Sequence, residues 1–266
     1  MFIPTTIRDK ITGRSLAVKC GKCIECMKSA STEWALRIML EAKDHKDNCC
    51  ITLTYDDEHV PGDYNLCRRD IQLFIKSLRK AVCVPVRYFY SGEYGEKYGR
   101  PHFHIIIFGW YPPDAYYKFS KHGEDYFNSQ TVIKLWKRGH CPIGRLTYDT
   151  AFYCSKYLQK VKIMDKEVAP FVGMSLRPGI GFNAITPDLL KQGQFYYNGK
   201  KFPVPRYFQK VLERDSDPID IMRFRARRRA VLQQSIRCRD DSDIERKRER
   251  EKKFLCLESW EIKKNT

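Results

Sequence analysis

The fold turns on one stretch: Val86-Arg-Tyr-Phe-Tyr-Ser-Gly-Glu93-Tyr-Gly-Glu96-Lys-Tyr-Gly-Arg100-Pro-His102-Phe-His104-Ile-Ile-Ile-Phe108-Gly-Trp110. Its two apolar and aromatic runs, Val86 to Gly92 and His102 to Trp110, read as strands. The connection from Glu93 to Arg100 contains Gly95 and Gly99 and is short enough for a hairpin. Side chains alternate faces along a strand, so His102, His104, Ile106 and Phe108 share one side of the sheet. Chemistry and packing are thus written into the same strand.

Working outward, Cys49-Cys-Ile-Thr-Leu-Thr-Tyr55 reads as another strand, stopped by Asp56, Asp57 and Pro61-Gly62. Ile71, Phe74, Ile75 and Leu78 fall at helical spacing, with Asn65 as an early cap. A helix is expected over Ser31 to Lys43, where Trp34, Ile38 and Met39 form an apolar face, and another over Ser129 to Lys137. A strand follows around Ile143 to Tyr148, and Asp149 caps a helix running to about Val161. Glycine and proline make Phe171 to Phe208 loop-rich. These elements predict an α+β fold: a central antiparallel sheet with flanking helices and a charged, helical or flexible C-terminal extension. The expected division is residues 1–212 as one domain and 213–266 as the extension, where 28 of 54 residues are charged.

The net charge of +17 points to polyanionic partners, nucleic acid first and an anionic membrane surface second. Aromatic residues make up 13% of the chain, too many for a merely basic, disordered protein. No run approaches the length of a membrane-spanning helix, and Met1 to Leu16 lacks the apolar core of a secretory signal. The 11 cysteines are therefore expected as thiols in a reducing compartment.

Two imidazoles side by side on a rigid strand make a ready pair of metal ligands, although strand histidines satisfied by water share the same pattern. Glu93, at the end of the preceding strand, is placed by the hairpin to join them. Glu96, in the turn, competes for that role, but a strand-end residue is held more rigidly. Two histidines and a carboxylate leave coordination positions open, which suits a catalytic ion. Tyr153 and Tyr157 sit at i and i+4, with Lys156 and Lys160 near them. The plain reading is an amphipathic helix with snorkelling lysines. The chemical one is a pair of nucleophiles whose phenolates the lysines help stabilise.

Together these sites resemble the HUH endonucleases of rolling-circle replication, and specifically the replication initiation proteins of gokushovirus-type Microviridae. The resemblance runs from about Cys20 to Phe208. It includes Ser31-Thr-Glu-Trp-Ala-Leu-Arg37, Leu53-Thr-Tyr-Asp-Asp-Glu-His-Val-Pro61, Gly92 to His104, the two-tyrosine helix, Met174-Ser-Leu-Arg-Pro-Gly-Ile-Gly181 and Pro205-Arg-Tyr-Phe208. It implies that His102, His104 and Glu93 hold Mg²⁺ or Mn²⁺, and that Tyr153 and Tyr157 attack DNA, with Lys156 and Lys160 supporting them. One tyrosine would cut the viral strand at the origin and keep a 5′-phosphotyrosine link. The other would act when the origin is regenerated, releasing a closed circle. Single-stranded DNA and the origin are the implied partners, with a host helicase and DNA polymerase, in the bacterial cytoplasm. No membrane or small-molecule substrate is expected. Glu25, Met27 and the tail after Glu213 depart from the family pattern.

Cys20, Cys23 and Cys26 form a Cys-x2-Cys-x2-Cys run that could hold structural Zn²⁺ with a fourth ligand from elsewhere. The plainer reading is thiols packing a helix start. A non-enzymatic nucleic-acid-binding protein built on such a zinc site is the competing expectation, and a phosphodiesterase using activated water is a third. Tyr55, Tyr88 and Tyr90 are expected to offer rings on which unpaired bases stack.

Overall fold

The computed structural model describes residues 4–8, 13, 15–19, 21, 23–95, 98–121, 123–156 and 168–237. In chain order they form β1 (Pro4–Arg8), β2 (Ser15–Lys19), α1 (Ile24–Lys43), β3 (Asn48–Thr54), α2 (Arg68–Ala81), β4 (Arg87–Tyr94) and β5 (Pro101–Phe108). Then come β6 (Tyr116–Lys121), β7 (Glu124–Asn128), α3 (Gln130–Trp136), β8 (Ile143–Gly144), α4 (Tyr148–Lys156) and β9 (Phe171–Met174). The chain continues through α5 (Asp188–Gln192), β10 (Gln194–Tyr197), β11 (Lys200–Pro203), α6 (Arg206–Asp215) and α7 (Pro218–Arg237).

Residues Ala30–Ala184 form one compact unit, built on an antiparallel sheet of seven strands in the order β6-β7-β8-β3-β5-β4-β9. β5 lies between β3 and β4, so its side chains are covered on both faces. On one face Leu53, Phe103, Ile105 and Ile107 pack against Ile71, Phe74, Ile75 and Leu78 of α2 and Val132 and Trp136 of α3. On the other, Cys50, Phe89, Ile106 and Phe108 meet Ala35 and Ile38 of α1 and Ala151 and Cys154 of α4. The fold is α+β, as the strand and helix patterns predict.

The hairpin geometry follows the expected alternation. β4 and β5 pair with Glu93 opposite His102 and Ser91 opposite His104, so Glu93 ends a strand and lies outside the turn. The segment after α3 runs along the free edge of β3, with the amides of Thr52, Thr54 and Asp56 donating to the carbonyls of Pro142, His140 and Arg138. Gly139 makes that approach possible. Its φ is +134°, and a Cβ there would fall 2.4 Å from the Asp56 nitrogen.

Several local expectations are corrected. α1 begins at Ile24, a full turn and more before Ser31. Asn65 does not cap α2. Cys67 occupies that position without a side-chain bond, while the Asn65 amide donates to Asp63 at 3.1 Å. The buried apolar stripe therefore places α2. Asp149 lies in the first turn of α4, and the side-chain cap is Thr147, whose hydroxyl accepts from the Thr150 amide at 3.2 Å. The strand expected to reach Tyr148 contracts to Ile143–Gly144. The β6–β7 hairpin was not foreseen. All six residues of β6 are exposed, so its sequence carries no alternation of apolar and polar positions.

The described residues of Met1–Ser29 and Ile185–Thr266 form a second compact unit. It holds the β1–β2 and β10–β11 hairpins and places Phe195 against Phe208, ring centroids 6.0 Å apart. The charged extension is helical through α7. Arg225 donates to Glu213 at 2.9 Å, and Phe224 is buried.

Candidate active site

The β4–β5 hairpin gathers three groups at one end of the sheet face that carries α4. One carboxylate oxygen of Glu93, Oε1, lies 2.8 Å from His102 Nε2 and 2.6 Å from His104 Nε2. The two imidazoles meet edge to face, with centroids 5.1 Å apart. Among the described residues this trio forms the one cluster of metal-ligating side chains, its ligand atoms all within 4.8 Å of one another. Glu96 lies outside the described residues.

The surroundings orient these ligands. His102 Nδ1 faces the Arg100 carbonyl at 3.1 Å. A carbonyl oxygen can only accept, so Nδ1 is the protonated nitrogen and Nε2 of the neutral ring presents a lone pair to Glu93. His104 Nδ1 is 3.0 Å from the Thr52 hydroxyl on the neighbouring strand. Glu93 is only 1% exposed, and its second oxygen, Oε2, is buried with no hydrogen-bond partner. Lone pairs and a buried carboxylate converging on one point are costly unless a positive charge joins them. The donor set fits a divalent cation with open positions.

α4 brings Tyr153 to the same place. Its ring stands edge-on to His104, centroids 5.4 Å apart, and the residue is 45% exposed, so the phenol is within reach of a substrate. The rest of the helix is anchored. Ser155 is buried, and its hydroxyl donates to the Ser31 carbonyl of α1 at 3.1 Å. Beneath Tyr153, Cys154 Sγ lies 3.9 Å from Cys50 Sγ. That contact, reinforced by burial, holds the Cys154 thiol well above its ordinary pKa, so it stays protonated and is no rival nucleophile. Lys156 is half-buried at the end of α4. Tyr157 and Lys160 lie outside the described residues.

The structure thus brings together Glu93, His102, His104 and Tyr153. Cys20 lies outside the described residues, and Cys26 is buried in the first turns of α1. Tyr55 and Tyr90 are not stacking platforms. They are 0% and 5% exposed and belong to the core under α2. Burial, and then the hydrogen bond that Tyr55 donates to Asp70 at 2.8 Å, push the Tyr55 phenol far up in pKa. Rings open to solvent occur instead on the β6–β7 hairpin at Tyr116, Tyr117 and Phe119, interleaved with Lys118 and Lys121. Thr52 was also missed. Its role depends on the β3–β5 register, which its sequence neighbourhood does not reveal.

A family model described as replication-associated protein ORF2 matches residues 48–162, the segment that contains this site. The chain is 34% identical over 212 residues to replication-associated protein VP4 of Bdellovibrio phage phiMH2K, covering 73% of this chain and 67% of that protein. It is 35% identical over 220 residues to replication-associated protein ORF2 of Spiroplasma virus 4, covering 75% of this chain and 68% of that one. With replication-associated protein ORF4 of Chlamydia phage 1 the identity is 30% over 239 residues, covering 82% and 60%. No solved structure matches it.

Proposed function

The chain belongs to the family of phage replication-associated proteins, of gokushovirus type, and from that premise we propose that it cuts and rejoins single-stranded DNA at the replication origin through a tyrosyl ester. The observation that carries this reading is an exposed tyrosine beside two histidines and a buried carboxylate. The Tyr153 hydroxyl attacks the phosphorus, a bond forms from Oη to phosphorus, and the bond to the 3′ oxygen breaks. The phenolic proton leaves Tyr153, and the departing 3′ oxygen gains one. The products are a 5′-phosphotyrosine and a free 3′-OH that can prime synthesis. Glu93, His102 and His104 would hold Mg²⁺ or Mn²⁺, which supplies positive charge against the phosphate oxygens when bound.

The protein's own groups do the remaining work. Thr52 and the Arg100 carbonyl fix the imidazole orientations. The core on the opposite face keeps β4 and β5 in register. Lys156 and Lys160 favour the phenolates, and Tyr157 serves as nucleophile in the second round. Reversal of the first step, with a 3′-OH attacking the ester, rejoins DNA without a nucleotide triphosphate because the ester retains the bond energy. Without a Gly-x4-Gly-Lys-Ser/Thr stretch in the sequence, unwinding falls to a host helicase and synthesis to a host polymerase, both in the bacterial cytoplasm.

The test is a denaturation-resistant protein–DNA adduct on single-stranded origin DNA with Mn²⁺. Adduct formation that disappears in the Tyr153→Phe, Tyr157→Phe double variant is expected. Cleavage that persists without an adduct would replace tyrosine by water as the nucleophile, and binding with neither product would make the chain a non-enzymatic DNA-binding protein.

A further inference from the structure

Beside the metal-ligand cluster lies a cleft of about 300 Å³ that the cutting chemistry leaves unused. It shares His104 and Tyr153 with the site and is otherwise lined mainly by Glu124 and Tyr126 of β7, Gly144 of β8, and Arg145 and Asp149. Its size lies at the lower end of the range for small-ligand sites.

The lining is chemically differentiated. The Tyr126 ring is held in place, stacked on Phe119 at 5.0 Å and 19°, with its hydroxyl 3.5 Å from Glu124 Oε2. Gly144 keeps the floor open. A Cβ there would sit 3.6 Å from the Tyr126 ring, an ordinary contact, so a longer side chain would grow into the cleft. The carboxylates of Glu124 and Asp149 can only accept hydrogen bonds, whereas the exposed Arg145 can only donate. An aromatic wall, two acceptors and one cation on the rim suit a base carrying donors on a chain carrying phosphate.

We propose that this cleft is a base-reading subsite. It takes the base of a nucleotide adjoining the phosphate that Tyr153 attacks, and it favours bases with an exocyclic amino group over thymine. The proposal rests on the single-strand nuclease reading, because Tyr153 and His104 line both places. Cytosine, adenine and guanine each bring an amino group that a carboxylate can accept from, whereas thymine turns a carbonyl oxygen toward the same acceptors. Tyr126 offers a ring for stacking and Arg145 pairs with the neighbouring phosphate, neither of which distinguishes bases. Base selectivity therefore falls to Glu124 and Asp149.

Two measurements on the full chain test this. In the first, a pool of single-stranded oligonucleotides with randomised sequence is offered with Mn²⁺, and the DNA recovered in covalent adducts is sequenced. Thymine is expected to be depleted on the order of tenfold at one position next to the cut. In the Glu124→Gln, Asp149→Asn double variant this depletion should vanish at that position alone, since an amide can donate to the thymine carbonyl. In the second, equilibrium binding of the same pool is sequenced without any cleavage, comparing wild type, Gly144→Leu and Gly144→Ala. Leu should erase the same preference by filling the cleft, and Ala should keep it. Adducts with thymine as frequent as the other bases on both sides of the cut would overturn the proposal, as would variants whose profiles match wild type. Absence of adducts would instead sink the nuclease reading, and the binding profiles would still decide whether the cleft selects bases.

Discussion

The two faces of the β3–β5–β4 ribbon share strands but have opposite character. On one, Phe103, Ile105 and Ile107 are fully buried under α2 and α3, and nothing on it is chemically active. On the other, the alternate residues of the same strand run His102, His104, Ile106 and Phe108, so an apolar half under α1 and α4 grades into the candidate site. A period of two lets a single strand anchor itself on one side and present ligands on the other. The sealed face supplies the rigidity that the reactive face needs, because a ligand on a strand buried on both sides cannot drift from its partners.

That contrast can be broken by variants that should separate activity from stability. The largest effect is expected on the reactive face, where the Tyr153→Phe, Tyr157→Phe double variant loses adduct formation altogether while its thermal midpoint stays near wild type. His104→Ala or Glu93→Ala should lower the cleavage rate by at least about a hundredfold, as loss of a central electrostatic group commonly does, and removal of divalent cations by EDTA should do the same to wild type. A nicking assay read beside circular dichroism checks both.

The sealed face should behave in the opposite way. Phe103→Ala is expected to cost about 3–5 kcal/mol of folding stability in denaturant melts, because the void beneath α2 and α3 cannot close. Its metal affinity, measured on the folded fraction, should change little. A Phe103→Ala chain that keeps its stability but loses metal would mean that the two faces do not divide the labour as described.

Smaller effects sharpen the picture. Thr52→Val removes the hydroxyl beside His104 Nδ1 without changing shape, and should weaken Mn²⁺ binding by about 10–100-fold with folding unaffected. A Mn²⁺ titration followed by calorimetry reads this. Asp114 accepts from the Ser129 hydroxyl at 2.5 Å and from the Thr131 amide at 2.8 Å, bracing the start of α3. Partial burial opposes its charge, yet these hydrogen bonds prevail and hold the carboxyl below its ordinary pKa of 3.8. The stabilisation is therefore fully present above that ordinary value and lost as pH falls through the lowered one. Asp114→Asn should cost about 1 kcal/mol near neutral pH, and the difference from wild type should shrink in strong acid.

How much of this was legible depends on how local each feature is. Glu93 and His102 are nine residues apart across a hairpin, so strand alternation and a short turn were enough to bring them together. The stripe Ile71, Phe74, Ile75 and Leu78 announced α2 by its period, and it is buried as a set. Caps were less legible. Asn65 has the right chemistry but the chain reaches α2 two residues later, and Thr147 outcompetes Asp149 because its hydroxyl meets the Thr150 amide. The β6–β7 hairpin escaped notice because it buries almost nothing in β6 and so leaves no hydrophobic rhythm. Tyr55 and Tyr90 look identical to solvent-facing tyrosines until the sheet and α2 close over them.

The sequence by itself determined the α+β class, the His-x-His strand with its carboxylate partner and the two-tyrosine helix, since each is a matter of spacing within a few turns or strand steps. Tertiary structure decided that Tyr153 stands 5.4 Å from His104, that Thr52 steadies that imidazole, and that a cleft opens beside both. Those relations join residues roughly 50 positions apart through the packing of α4 on the sheet and the register of β3 with β5. Spacing along a chain says which side chains share a face, but the burial of one element against another sets which faces meet.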